Sequence, residues 1–130
     1  MRELLWRPAF VTTALVVVAA TLGTTGHAET TIGRWCDRMV PTMPTYNRII
    51  TIRLNATGAA EAHSLFGDGS EMTQGLHEVS GNVFAVLDSP SNDRSRIVPS
   101  SGELQLIDND GLIRVARRLG NTRTPGECGL

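Results

Sequence analysis

Cys36 and Cys128 are the only two cysteines in the 130-residue chain. Thiols can ligate a metal, act as nucleophiles or pair. Metal ligation is poorly served, because there is no Cys-x-x-Cys and no histidine near either one. Outside the first 28 residues the histidines are His63 and His77, fourteen positions apart on different predicted segments. No spacing sets a serine or cysteine beside either one as a nucleophile with its base. Asp68, Glu71, Glu78 and Asp88 could meet in space, but no pattern marks them as an acid–base pair, and turn aspartates are common for backbone reasons. Asp108-Asn109-Asp110-Gly111 begins like a calcium loop. Leu112-Ile113-Arg114 follows where further oxygen ligands would be needed. It reads as a hairpin turn with Gly111 at positive φ. The residue types therefore indicate no catalytic group, no metal site and no cofactor, and pairing of the two cysteines is the chemistry to examine.

The N-terminus bears on that pairing. Arg2 and Arg7 give a basic start, Ala9–Leu22 is uncharged and apolar, and Gly26-His27-Ala28 puts small residues at the −3 and −1 positions before Glu29. This is the three-part pattern of a cleaved signal peptide over residues 1–28. Fourteen residues of helix span about 21 Å, short of a hydrocarbon core of about 30 Å, so an uncleaved anchor is disfavoured. The expected address is periplasmic or secreted, with no membrane anchor after cleavage. There, two cysteines near opposite ends of a domain read as one disulfide. Closing a loop of 92 residues would stabilise the fold by roughly 4–5 kcal/mol in chain-entropy terms.

The expected mature domain, residues 29–130, is one small domain. Removing Arg2, Arg7 and Glu3 from 12 basic and 13 acidic residues leaves ten arginines against twelve acids. That near-neutral balance gives no support for a nucleic-acid partner. Lysine is absent altogether. Aromatic residues are few (Trp35, Tyr46, Phe66 and Phe84), so the core must be mainly Ile, Val, Leu and Met.

Turn signals recur about every ten residues after Tyr46: Asn55–Gly58, Gly67-Asp68-Gly69, Ser80-Gly81-Asn82, Ser89–Asp93, Pro99–Gly102 and Asn109-Asp110-Gly111. Short segments between evenly spaced turns predict an all-β fold, a single small antiparallel barrel or meander of about seven or eight strands. In Arg48–Asn55, Ile50, Ile52 and Leu54 occupy one parity. Val83–Leu87 is apolar on both parities, as a central strand or an exposed binding stripe would be. Asn55–Leu65 reads as a short strand, with a helical turn as the alternative. The tail Gly120–Leu130 reads as a loop pinned only by Cys128.

Two features are more specific. Gly33-Arg34-Trp35 precedes the meander. In small barrels of lipocalin type, a G-x-W on the first strand lays the indole across the barrel base under an arginine from a late strand. In Leu112–Leu119, Arg117 shares a parity with Ile113, Val115 and Leu119, so Arg117 is the expected partner of Trp35. The second feature is the Pro-bounded loop Met39-Val40-Pro41-Thr42-Met43-Pro44, just after Cys36. A stiff, apolar, tethered loop loses little entropy on entering a partner's cleft, so Met39, Pro41, Met43 and Pro44 are candidate contacts. A plain connector into the next strand is the alternative.

Val79-Ser80-Gly81-Asn82-Val83-Phe84 resembles the SGxxY motif of the C-type lysozyme inhibitors, with Phe84 where that family has tyrosine. The resemblance implies a small exported barrel whose Ser80, with Gly81 and Phe84, contacts the lysozyme cleft. Gly33-Arg34-Trp35 and Leu104–Val115 resemble the two ends of the periplasmic metalloprotease inhibitors, also small barrels. Residues and resemblances together lead to a non-enzymatic binding module, with a hydrolase or an envelope component as its protein partner. The alternatives are a small-ligand carrier of lipocalin type and an accessory subunit of an envelope complex.

Overall fold

The computed structural model describes residues Ala28–Leu130. The predicted signal peptide, apart from Ala28, lies outside the described residues. The alternating segments form β1 (Thr30–Arg38), β2 (Asn47–Leu54), β3 (Ala60–Phe66), β4 (Glu71–Ser80), β5 (Val83–Val86), β6 (Arg94–Ile97), β7 (Leu104–Asp108) and β8 (Gly111–Arg118). Each strand pairs antiparallel with the next, and β8 pairs with β1 to close an eight-stranded barrel. The turn signals fall between strands. Between β2 and β3, Asn55 Oδ1 accepts from the backbone N–H of Thr57 and Ala59 (3.0 and 3.1 Å), and Gly58 takes φ 85°. The alanine-rich segment before Leu65 is strand β3.

Alternation works as expected in β2. Ile50 and Ile52 face inward and pack with Trp35, Ala62, Leu76, Phe84, Leu104, Leu106 and Ala116 in one core. Ile49 points the other way and is also buried, in a second cluster with Cys36, Leu119 and Cys128. The outer face of β1 and β2 is dry because the C-terminal tail lies across it. The Cys36–Cys128 disulfide joins Cα atoms 5.4 Å apart. It is not the tail's only tie, contrary to the sequence expectation. Arg34 forms an ion pair with Glu127 and donates to the Gly120 carbonyl (2.9 Å). Asn47 Nδ2 donates to the Cys128 carbonyl (2.9 Å). All three contacts come from two strand residues whose side chains leave the barrel.

Strand β8 departs from its sequence reading. Asp108 pairs with Gly111 and Ile107 with Leu112, but Leu106 pairs with Arg114 and Leu104 with Ala116. One extra residue on β8 is a bulge beside the turn, and Gly111 takes φ 110° there. A one-residue slip sends every later side chain to the opposite face. Arg114, Ala116 and Arg118 therefore share the inner parity, and Ile113, Val115 and Arg117 the outer. Ala116 is buried, whereas Ile113 and Val115 are 46% and 47% exposed. The expected Trp35–Arg117 stack is thus wrong by one residue: Arg118 lies over the indole, 5.0 Å from its centroid.

Strand β5 is corrected in a simpler way. Phe84 is buried in the core and Val86 packs against it, whereas Val83 and Ala85 are half-buried and Leu87 is exposed. It is neither covered on both sides nor a continuous exposed stripe.

Candidate functional site

In a closed meander, alternate connections share an end. The β1–β2, β3–β4, β5–β6 and β7–β8 loops form one rim, here called the mouth; the other loops form the base. The base is sealed. The Trp35 indole folds back along β1 towards Gly33, where a Cβ would stand 2.5 Å from the ring. Its Nε1 donates to the Gly102 carbonyl (2.7 Å), and Arg118 covers it. Gly33 is thus required by the indole's direction, which is the physical content of G-x-W in this chain.

The mouth is polar and partly open. Asp37, two residues beyond Trp35 on β1, points inward and is fully buried. Its Oδ2 accepts from Arg48 Nε (2.7 Å) on β2. Arg114 Nε donates to Oδ1 (2.8 Å) and its Nη2 to Oδ2 (3.0 Å) from β8. Burial by itself would raise the Asp37 carboxyl. Hydrogen bonds from Arg114 and Arg48, with their charges, outweigh that and hold it below the usual carboxylate range. Its hydrogen bond raises the Arg114 guanidinium in return. Register pairing of β1 with β8 covers only Trp35–Arg118 and Cys36–Arg117. The Asp37–Arg114 fork ties the same two strands at the mouth, beyond those positions.

Around this cluster lies a cavity of about 260 Å³. Ile50, Ala62, Leu76, Val86 and Leu106 line its floor. Arg48 and Arg114 reach it from two strands, with Ser64, Gln74 and Ser95 between them, and Arg94 borders it from the outer parity of β6. Arg48 also donates weakly to Ser64 Oγ (3.4 Å) and sits 5.9 Å from the Phe66 ring centroid. Sequence reasoning missed Asp37, Arg48 and Arg114. The turn aspartates and glycine of Asp108–Gly111 were the available signal for the bulge that turns Arg114 inward.

The Pro-bounded loop belongs to the same rim. Met43 N–H donates to the Val40 carbonyl (2.9 Å) and Tyr46 N–H to the Met43 carbonyl (3.0 Å), closing the short 3-10 turn Pro44–Tyr46. Cys36 tethers the strand before the loop. Asn47, just after it, is fixed by the tail and by Gly67 N–H donating to its carbonyl (2.9 Å). The Gly67 Cα lies so close that a Cβ would meet the Pro44 carbonyl at 2.6 Å. On this frame Met39, Met43 and Tyr46 are 37%, 48% and 49% exposed, beside exposed Pro41 and Pro44.

The other candidate segment lies elsewhere. Ser80 and Gly81 are exposed at the base, and Phe84 is in the core. Phe84 therefore makes no partner contact, and Ser80–Phe84 and Met39–Pro44 do not form one surface. Of the histidines, His63 meets Glu71 on the outer wall (2.8 Å) and His77 is exposed on β4. Among the described residues, no three His, Cys, Asp or Glu side chains cluster as a metal site would require. Comparison with family models, curated proteins and solved structures finds no match.

Proposed function

We propose that the chain is an exported, non-enzymatic binding module that inhibits a hydrolase by seating the Met39–Tyr46 loop in its cleft. The observation that carries this reading is the loop itself: apolar side chains presented to solvent on a backbone held at both ends. A loop already ordered before contact spends little of its binding energy on ordering. Methionine and tyrosine offer adaptable and rigid apolar surface respectively, both favoured at binding surfaces. Export is supported by the signal-like residues 1–28 and by the disulfide, which suits an oxidising compartment. The resemblance of Gly33–Trp35 and Leu104–Val115 to the metalloprotease inhibitors points to the same class of partner.

The test is titration of the oxidised protein against a C-type lysozyme and a secreted zinc protease. Stoichiometric inhibition of either one is expected. A Met39→Ser, Met43→Ser, Tyr46→Ala triple variant should inhibit at least tenfold less well, about 1.4 kcal/mol, with an unchanged melting temperature. Equal inhibition by that variant removes the loop from the mechanism. No inhibition of either enzyme by the wild-type protein overturns the inhibitor reading.

A further inference from the structure

We propose that the groove between the Met39–Tyr46 loop and the β3–β4 turn receives a cationic side chain, lysine or arginine, from the rim of the partner's cleft. The inference rests on the inhibitor reading for the kind of partner, and it adds the chemistry that partner must carry beside its cleft.

The groove is open and holds about 370 Å³, within the range of roughly 300–1,000 Å³ typical of ligand sites. Thr45, Tyr46, Phe66, Asp68 and Ser70 line it. Its two walls are fixed relative to each other before a partner arrives. Gly67 N–H donates to the Asn47 carbonyl (2.9 Å), and the Gly67 backbone packs so tightly on Pro44 and Thr45 that a Cβ would strike both. A seat already formed loses little on ordering when it is filled.

The lining selects the sign of the charge. It offers two aromatic rings, three hydroxyls and one carboxylate, and no basic side chain. Aromatic faces and carboxylates both attract cations, and hydroxyl oxygens accept from their N–H groups. Asp68 Oδ1 accepts from the Ser70 N–H (2.9 Å) and the Ser70 hydroxyl (2.6 Å), which accounts for its place in the turn. The same bonds hold its carboxyl below the usual range, so it is charged at neutral pH. Among the described residues no arginine or histidine pairs with it. Arg48 lies 5.9 Å from the Phe66 centroid, but its charge is held by Asp37. The rest of the mouth has the same sign. Asp88 and Asp110 are exposed on its loops, and Arg38 is the one exposed arginine at that end among the described residues.

The experiment follows amide chemical shifts of the oxidised full domain during titration with N-acetyl-arginine methylamide and with its citrulline analogue, which has the same shape and no charge. The arginine probe is expected to saturate below about 20 mM, with shifts centred on Tyr46, Phe66, Asp68 and Ser70. The citrulline probe should bind at least about fivefold more weakly. Asp68→Asn keeps the Oδ1 that accepts from Ser70 and should remove most of the preference for arginine over citrulline. Tyr46→Leu keeps apolar surface without a π face and should weaken the arginine probe about threefold. Both variants should melt within about 4 °C of the wild-type protein, so that lost binding is not lost folding. Equal affinity for arginine and citrulline overturns the proposal. So does a preference undiminished in Asp68→Asn, a set of shifts confined to Asp88 or Asp110, or no saturation by about 50 mM. Tetramethylammonium binding more tightly than the arginine probe would replace the partner's side chain by a free small cation. The titration needs no hydrolase, so the two readings fail separately. Arginine binding in a protein that inhibits neither enzyme removes the inhibitor reading alone, and inhibition undiminished by Asp68→Asn removes the cation groove alone.

Discussion

The two ends of this barrel solve the same closure problem with different materials. At the base, β1 and β8 pair through their backbones, and Trp35 fills the space between strands, roofed by Arg118. At the mouth, the same strands are joined by Asp37 holding Arg114, with Arg48 alongside. The indole packs and spends its one N–H on the Gly102 carbonyl, so the base is sealed. Guanidiniums keep unspent donors, so the mouth stays polar and partly open to solvent. The difference shows how one inward parity of one strand, Gly33-Trp35-Asp37, divides a barrel into a packed end and a charged, partly open end.

The largest expected effect tests the base. Trp35→Ala removes its main filler and should cost about 3–5 kcal/mol, read as a lower denaturation midpoint in urea. If the loss is under about 1 kcal/mol, the indole is not the keystone of that end. Next comes the strap over the outer face. Replacing both Cys36 and Cys128 by alanine should cost about 2–5 kcal/mol. It should also release the base of the Met39–Tyr46 loop, seen as faster amide exchange at Tyr46 and Asn47. Unchanged exchange there would show that Asn47 and Gly67 hold the loop without the tail.

Asp37→Asn then tests the mouth. It leaves two half-buried guanidiniums without their buried carboxylate and should cost about 3 kcal/mol near neutral pH. The sign of its pH dependence follows from the lowered carboxyl. In the folded protein Asp37 ionises at a lower pH than in the unfolded chain. Its stabilisation is therefore complete above the unfolded value of about 3.9 and is lost as pH falls through the lower folded value. The stability gap between wild type and Asp37→Asn should thus be wide at pH 6 and should narrow in acid. A gap independent of pH would mean that the cost of the Asp37→Asn substitution is steric and not ionic.

The smallest effect returns to the base. Arg118→Gln should cost about 0.5–2 kcal/mol, while Arg117→Gln, at an exposed outer position, should stay within about 0.5 kcal/mol. The opposite ranking would refute the bulged register of β8.

The fold was legible wherever a strand's pattern and its surroundings agreed. Strand β2 is the clear case: Ile50 and Ile52 alternate with a more polar face, and they do line the core. Even so, Ile49 is buried by a tail that no local pattern in β2 announces. Phe84 was readable as apolar but not as inward, since Val83–Leu87 carries apolar residues on both parities. The charged mouth was hardest to read. Asp37, Arg48 and Arg114 lie on three strands, and nothing in their spacing links them.

The sequence by itself determined the all-β class, the turn positions and the cysteine pair. These depend on local backbone preference and on composition, which a linear pattern carries. Tertiary structure alone decided which parity of β8 faces inward. Ile113, Val115 and Leu119 argue for one face, and the bulge after Gly111 imposes the other along the strand. Register is a property of two strands together. One inserted residue reverses a whole face, and here it turned Arg114 and Arg118, rather than Arg117, to the inward parity of β8, with Arg118 exposed over the indole at the base.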